Sequence, residues 1–211
     1  FHKEGGDTIL DNIHNDKVRL LDLSGNQLIT AQGWRSLPCL LKNSCPSLEQ
    51  LYLTECNIDE DGLKSLVNAL RDSKLQVVDL SRNDSISAKG WQCIASLIES
   101  NSEMQEIHLD HNSISDEEAR TYANALTRNK SLSTLSLAHS HITVAGWDCF
   151  FDVVCDTSNV NSTFLSNHTL SNLGQDMSNR LQRVLTLNDG SNNIRFFEQD
   201  RSNERFDEDG D

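Results

Sequence analysis

Two histidines are the residues of this chain whose type and spacing come closest to a metal-binding pattern. His111 and His139 occupy the same place in two similar segments, L-D-H-N-S-I and L-A-H-S-H-I. If these segments form neighbouring strands, the two histidine backbones lie about 5 Å apart. Two imidazoles at that distance, with a carboxylate such as Asp110 beside them, could hold zinc. The alternative, which we favour, is a pair of exposed side chains that repel each other when protonated, so we predict no metal and no cofactor.

The other reactive residue types offer no catalytic arrangement. The six cysteines include no C-x-x-C pair, so we expect buried, reduced thiols and no zinc site. The chain also lacks the glycine-rich phosphate loops, the H-E-x-x-H zinc motif and the G-x-S-x-G nucleophile turn. Because no motif supplies a nucleophile or a base, we predict that the protein has no catalytic residues and is not an enzyme.

Charge and hydropathy narrow the classes of partner. The 211 residues include 18 basic and 32 acidic side chains, for a formal net charge of -14. A nucleic-acid partner is not expected, because it requires a basic patch that displaces counterions from phosphates. No apolar stretch approaches the length of about 18 residues that a membrane span needs, and no leader is visible. We therefore predict a protein of the cytoplasm or nucleus without a membrane partner, unless an upstream targeting signal has been lost.

The elements that position these side chains follow from an internal repeat. Six segments fit the pattern L-x-x-L-x-L-x-x-N/C-x-L, and the sixth position of each is leucine. The segments begin at Val18, Leu48, Leu75, Met104, Leu132 and Val160. Their ninth positions hold Asn26, Cys56, Asn83, Asn112, Ser140 and His168. The third segment fits only with one residue inserted before Ile86. Alternating apolar residues followed by helical spacing predict a strand, a turn and a helix in each repeat.

Successive repeats also alternate in type. After the first, third and fifth segments the chain reads T-A-Q-G-W, S-A-K-G-W and T-V-A-G-W, whereas the second and fourth repeats lack this tryptophan. Two repeats together span about 57 residues, from Val18 to Leu75 and from Leu75 to Leu132. This unit resembles the ribonuclease-inhibitor type of leucine-rich repeat protein. The resemblance implies an α/β solenoid, a horseshoe with a parallel sheet on the concave face and helices on the convex face.

The three tryptophans of the alternate repeats could be read as a set that stacks on a ligand. Trp34, Trp91 and Trp147 each follow a glycine inside the predicted helix. We predict a structural role instead, in which each indole wedges between helices and the preceding glycine lets the backbones approach.

Composition divides the chain into three parts. Residues 1–17 are predicted to form an N-terminal helix, either a cap or the end of a truncated repeat, because Ile9, Leu10 and Ile13 share one helix face. Residues 18–188 are predicted to hold six leucine-rich repeats and a closing helix. Residues 189–211 are predicted to be an acidic, flexible tail, because so few apolar residues cannot build a core.

The surface for which a function can be argued is the concave face, where segment positions three, five and seven point away from the core. We predict that a protein partner contacts Asp22, Tyr52, Asp79, Glu106, His108, Asp110 and Phe164. Aromatic side chains are frequent anchors of interfaces, and the carboxylates favour a partner with a basic surface. The chain is therefore interpreted as a non-catalytic module for protein–protein interaction.

Two other functions remain open at this point. Proteins that activate the GTPase Ran combine a similar solenoid with an acidic tail, so the resemblance also implies a possible GTPase activator. The repeats could instead be the sensor region of a larger receptor that carries a nucleotide-binding domain.

Overall fold

The fold is taken from a computed structural model that describes residues 16–155, 166–174 and 177–188. Its elements are β1 (Leu20–Asp22), α1 (Ala31–Cys39), β2 (Gln50–Tyr52), α2 (Glu60–Arg71), β3 (Val77–Asp79), α3 (Ala88–Ser100), β4 (Glu106–His108), α4 (Asp116–Leu126), β5 (Thr134–Ser136), α5 (Val144–Val154) and α6 (Asn179–Asn188). None of these helices is long and apolar enough to span a membrane. The acidic tail predicted at 189–211 lies outside the described residues, as does nearly all of the helix predicted at 1–17.

The five strands form one parallel sheet in chain order. Pairing aligns equivalent positions of the repeats across the sheet, as in the row Leu20, Gln50, Val77, Glu106 and Thr134. The middle residue of each strand points the other way, toward the helices, and in β2 to β5 it is fully buried. The predicted leucine-rich repeat solenoid, with its sheet on one face and its helices on the other, is confirmed.

The leucine at position six and an aliphatic residue in the following turn close the core of each repeat. Leu53 and Leu80 are fully buried, as position six requires. In the first repeat, however, the buried turn residue is Ile29, whereas Leu28 is 53% exposed. The inserted residue that the sequence required in the third repeat is therefore present in the first repeat as well.

The side chain at position nine bonds to the backbone of the turn after each of the first four strands, whereas the buried hydroxyl of Ser140 after β5 makes no such bond. Asn83 is completely buried, and its Nδ2 donates to the carbonyl oxygens of Leu53 and Leu80 at 2.9 Å. Its Oδ1 accepts from the backbone N–H groups of Cys56 and Ile58 in the preceding repeat. One amide thus joins two repeats. Buried backbone groups that are not paired within the sheet need another hydrogen-bond partner, and this side chain supplies it.

Cysteine can replace asparagine at this position because its thiol is kept protonated. Cys56 is completely buried, and its Sγ donates to the carbonyl oxygen of Leu23 at 3.0 Å. Burial raises the pKa of this thiol to about 11, so the donor hydrogen is retained at neutral pH. Not every cysteine is buried as predicted, since Cys39 is exposed.

A second set of asparagines, which the sequence analysis did not predict, precedes the fourth, fifth and sixth repeats and bonds to the chain on both sides. Nδ2 of Asn129 donates to the carbonyl oxygen of Ile98 at 2.7 Å, and its Oδ1 accepts from the N–H groups of Ser131 and Leu132. Asn101 and Asn167 repeat this pattern in the fourth and sixth repeats. These asparagines mark where the fourth, fifth and sixth repeats begin.

The sixth repeat is displaced from its predicted position. The predicted segment began at Val160, and residues 156–165 lie outside the described part of the chain. The outer edge of β5 is instead paired by residues 171–173: Asn172 forms a parallel bridge with Thr134 and accepts from the N–H of Leu135. The prediction is wrong by ten residues. The sixth repeat starts after Asn167, which makes the same bonds as Asn129 does before the fifth repeat. His168 is accordingly exposed and does not occupy the asparagine position.

Hydrogen bonds between helix starts give the two-repeat period a physical basis. The Oγ of Ser87, which precedes α3, donates to a carboxylate oxygen of Glu60 in the first turn of α2 at 2.7 Å. The Oγ1 of Thr143, which precedes α5, donates to Asp116 at the start of α4, also at 2.7 Å. In both pairs the acid belongs to an even repeat and the hydroxyl to the odd repeat that follows. This contact explains why even repeats begin their helices with acidic residues.

The tryptophans are buried in the core, and the first one packs against a glycine of the next helix, a contact that the sequence analysis did not predict. Trp34 and Trp91 are almost completely buried among the helices. A Cβ added to Gly62 of the next helix would lie 3.0 Å from a ring carbon of Trp34. The close approach is therefore made by the glycine of the following repeat.

We expect Asn83→Ala to lower the free energy of unfolding by about 2–4 kcal/mol, because it leaves buried backbone groups of two repeats without partners. Asn26→Ala is the matched control: Asn26 is half-buried and donates mainly to the carbonyl oxygen of Leu23. Its loss should be about 1 kcal/mol or less. Urea unfolding followed by circular dichroism measures both values, and equal losses would contradict the role given to Asn83.

Because of the contact at Asp116, we expect the free energy of unfolding to fall as the pH is lowered into the acid range. The hydroxyl and the N–H of Thr143 both donate to this carboxylate and hold the pKa of Asp116 below its ordinary value. Its stabilising effect is present above the unfolded-state pKa of about 4 and is lost as pH falls through the lower folded-state pKa. Asp116→Asn should therefore make stability fall less steeply between about pH 5 and pH 2. Urea titrations at stepped pH test this, and identical slopes would contradict it.

Candidate protein-binding surface

The concave face is defined here as the side chains at positions three, five and seven of the five strand segments. From β1 to β5 these are Leu20, Asp22, Ser24, Gln50, Tyr52, Thr54, Val77, Asp79, Ser81, Glu106, His108, Asp110, Thr134, Ser136 and Ala138. Strand pairing places Asp22, Tyr52, Asp79 and His108 in one continuous row. Neighbouring strands are about 4.8 Å apart, so one partner surface can contact several strands at once.

The aspartates of this face also shape the turns that follow the strands. One oxygen of Asp22 accepts from the N–H of Ser24 at 2.9 Å, and Asp79 accepts from Ser81 in the same way at 2.8 Å. The bond from Ser24 lowers the pKa of Asp22, which stabilises the ionised form. Both carboxylates are therefore fixed in position by the turns that they stabilise.

Asp110 is held even more firmly, because it bridges two strands. Its Oδ1 accepts from the hydroxyl of Ser136 at 2.6 Å and from the N–H of Ala138 at 2.7 Å. The residue is a structural link as well as a charge on the concave face.

Tyr52 and His108 are the largest side chains in the central row. Both are half-buried, and each contacts a neighbour two residues earlier on its own strand. The hydroxyl of Tyr52 donates to Gln50 at 3.2 Å, and Nε2 of His108 lies 3.2 Å from a carboxylate oxygen of Glu106. These contacts hold the rings against the sheet, with their outer surfaces open to a partner.

The charge of the concave face has one sign. Among its 15 defined positions there are four carboxylates and no lysine or arginine. A curved, polar surface of this kind concentrates a negative potential that attracts positively charged partners.

Six of the seven predicted contact residues lie together on this face, and Phe164 lies outside the described residues. At the sixth strand position the residue equivalent to Ser136 is Gly174, which has φ +88. A Cβ there would lie 3.0 Å from the backbone nitrogen of Ala138. The described part of the face thus ends in bare backbone, where an aromatic anchor was predicted.

His111 and His139 follow their strands at position eight and stack on each other. Their ring centroids are 4.2 Å apart, with 25° between the ring planes. This matches the neighbouring positions predicted for them. Across the described ranges, no group of three or more histidine, cysteine, aspartate or glutamate residues is arranged to hold a metal ion.

A family model described as leucine-rich repeat matches three segments of the chain, residues 14–37, 44–67 and 71–95. Each match begins four residues before one of the first three strand segments identified in the sequence. The family model and the strand pattern therefore agree on the register of these repeats.

Two relatives from Mus musculus are similar to most of this chain. NACHT, LRR and PYD domains-containing protein 4E is 23% identical over 191 residues, which cover 77% of this chain and 19% of that protein. Ribonuclease inhibitor is 25% identical over 169 residues, which cover 79% of this chain and 37% of that protein. The chain thus spans about a fifth and somewhat more than a third of the lengths of these relatives.

A solved structure with a similar fold is the C-terminal domain of tropomodulin from Caenorhabditis elegans. It matches with a TM-score of 0.55 at 11% sequence identity, over 97% of this chain and 98% of that one. At this level of identity the likeness bears on the fold alone.

Two substitutions separate the structural role of Asp110 from its charge. Asp110→Ala removes the acceptor of two bonds and should lower the free energy of unfolding by about 1–3 kcal/mol. Asp110→Asn keeps an oxygen in the same place and should lose less than half as much. Chemical unfolding of both variants checks this expectation, and equal losses would show that the charge itself stabilises the fold.

Proposed function

The chain is a leucine-rich repeat protein of the ribonuclease-inhibitor-like type, and from that premise we propose that it is a non-catalytic module which binds a basic protein surface on its concave face. The observation that carries the proposal is the uniform sign of that face: four carboxylates and no lysine or arginine at its 15 defined positions. Such a field raises the rate of encounter with a positively charged partner.

Binding strength has a separate source in this proposal. Carboxylates at the rim of an interface change association rates and salt dependence more than they change dissociation. A half-buried aromatic ring that becomes fully buried supplies contact area and slows dissociation. Tyr52 is the aromatic residue in the central row, between Asp22 and Asp79. We therefore assign it the role of anchor.

The arrangement of acids and hydroxyls favours binding over catalysis. A serine nucleophile needs a neighbouring base that removes its proton, usually an imidazole oriented by an acid. The Ser136 hydroxyl instead donates directly to Asp110, and His108 contacts Glu106. These pairs fix the surface and leave no hydroxyl activated by a histidine among them.

Two classes of partner are suggested by the relatives. One relative is by name an inhibitor of ribonuclease, so a ribonuclease is the first named partner to test against this chain. The other carries a NACHT domain by name, which favours a second candidate function, the sensor repeats of a larger receptor. Activation of the GTPase Ran remains a hypothesis without a matching relative among those reported above.

We expect concave-face variants to lose the same partners from a lysate. Wild-type protein, Tyr52→Ala and the double variant Asp79→Asn/Glu106→Gln are immobilised, and the retained proteins are quantified by mass spectrometry. Proteins lost from both variants should have basic surfaces. For such a partner, Tyr52→Ala should cost about 1–2 kcal/mol and act on dissociation. The charge variant should slow association at low salt and have little effect at high salt.

The control for this experiment lies on the convex face. Arg35→Ala changes an exposed residue of α1 and should retain every partner. If retention is unaffected by the concave variants and is lost with convex ones, the functional surface is on the helices and the proposal is wrong.

A further inference from the structure

The first three strands place an aromatic ring between two carboxylates on the concave face. The pairing of β1 with β2 and of β2 with β3 sets Asp22 and Asp79 opposite Tyr52, one on each side. Because neighbouring strands are about 4.8 Å apart, the backbones of the two aspartates are roughly 10 Å apart, with the tyrosine between them. These three residues are called the tyrosine row here.

Both carboxylates of the tyrosine row are held in place and can still accept further bonds. One oxygen of each accepts the N–H of the residue two positions later, Ser24 or Ser81. A carboxylate has about four acceptor sites, so one such bond leaves room for the donors of a partner. No lysine or arginine in the described parts of the chain forms an ion pair with either aspartate.

The ring of Tyr52 is held along its own strand. Its hydroxyl donates to Oε1 of Gln50 at 3.2 Å, and the side chain is half-buried. The face of an aromatic ring attracts a cation that lies within about 6 Å of its centre. A cation on this ring also lies between the two carboxylates, so attraction to the ring and ion pairing act at the same point.

The positions beside the tyrosine row are uncharged. On one side, position three holds Leu20, which is 53% exposed, and Val77, which is half-buried. On the other side, position seven holds Ser24, Thr54 and Ser81. A long cationic side chain can therefore lay its methylene groups on the apolar residues while its charged group contacts the ring.

The remaining carboxylates of the concave face are already engaged with neighbouring side chains. Asp110 accepts from Ser136 and from the N–H of Ala138, and a carboxylate oxygen of Glu106 lies 3.2 Å from Nε2 of His108. The tyrosine row is therefore the part of this face whose carboxylates are bound only by their own turns.

The geometry of the tyrosine row favours one of the two long cations. A guanidinium is planar, stacks on aromatic faces and carries five N–H donors around its edge. When it lies on Tyr52, it can donate to Asp22 on one side and to Asp79 on the other. An ammonium is a compact, strongly hydrated charge that cannot stack. Arginine is therefore the better occupant.

We propose that the tyrosine row binds one arginine side chain of the protein partner, with the guanidinium on Tyr52 and its N–H groups directed to Asp22 and Asp79. This inference rests on the proposed function, because it takes the concave face as the surface that a basic partner occupies. It adds the residue type that the partner presents and the point at which that residue is bound.

Fluorescence anisotropy tests the proposal with two labelled peptides, in which serine alternates with six arginines or with six lysines. The full chain should bind the arginine peptide about two- to fivefold more tightly than the lysine peptide. Tyr52→Leu removes the aromatic face and should abolish this preference, whereas Tyr52→Phe retains the face and should keep it. Asp22→Asn/Asp79→Asn should weaken binding of the arginine peptide about three- to tenfold at low salt.

The matched control is Asp61→Asn/Asp148→Asn. It removes the same amount of charge from exposed positions of α2 and α5 and should leave both affinities unchanged.

The outcomes separate this inference from the proposed function. Equal affinity of the wild type for both peptides, lost in Asp22→Asn/Asp79→Asn, would overturn the assignment of arginine and leave the proposed function standing. A preference for arginine that persists in Tyr52→Leu, or an unchanged affinity in the double aspartate variant, would also overturn it. The peptide is then bound elsewhere, such as by the acids at residues 198–211. The proposed function itself fails in the lysate experiment, when the concave variants keep every protein that the wild type retains.

Discussion

The stacking of this solenoid depends on buried side-chain amides that satisfy the backbone of a neighbouring repeat. The strands are only three residues long, so the turns before and after them hold backbone N–H and C=O groups that neither the strand pairing nor the helices satisfy. Asn83 satisfies such groups after the strands, and Asn129 does the same before them. Since each amide bonds across repeats, no repeat can complete its hydrogen bonds alone. The cooperativity expected of a stacked array therefore has a definite polar component beside the leucine core.

The same constraint determines what the protein presents to a partner. Asp22, Asp79 and Asp110 all accept backbone N–H groups, so their charges are rigidly placed by the turns that they stabilise. The side chains of Tyr52 and His108 contact other side chains and not the backbone. The residue type at these two positions can therefore change without loss of a turn. The residue after each strand likewise has the same left-handed backbone conformation in all five repeats, while its side chain differs from repeat to repeat.

Much of the fold could be predicted from the sequence, because leucines and asparagines recur at fixed positions in most repeats. The predicted register was wrong at the sixth repeat, where the signal is an asparagine outside the leucine pattern. The sixth repeat begins from Asn167, and that signal becomes visible only when Asn101 and Asn129 are seen to make the same bonds. Leu28 and Ile29 are both apolar and could both fill the core, so the burial of Ile29 in place of Leu28 is decided by the geometry of the turn. The partner of Trp34 is a glycine of the next helix, a contact that no spacing within one repeat encodes.

For the concave face, the alternation within strands was enough to bring six predicted residues onto one surface. What the pattern could not reveal is that the aspartates are engaged with backbone, because those bonds depend on the path of the turn. The stacking of His111 and His139 was likewise not predicted, although their proximity was. The orientation of the two imidazole rings depends on packing and on the left-handed backbone, and the repeat pattern predicts neither.

The central claim is that a protein partner occupies the concave face, and hydroxyl-radical footprinting of the complex tests it most directly. The oxidation of individual side chains is compared with and without the partner retained by the wild-type protein. The account predicts that Tyr52 and His108 become protected, while the exposed Cys39 at the end of α1 reacts as before. Protection of Cys39 with unchanged oxidation of Tyr52 and His108 would contradict it.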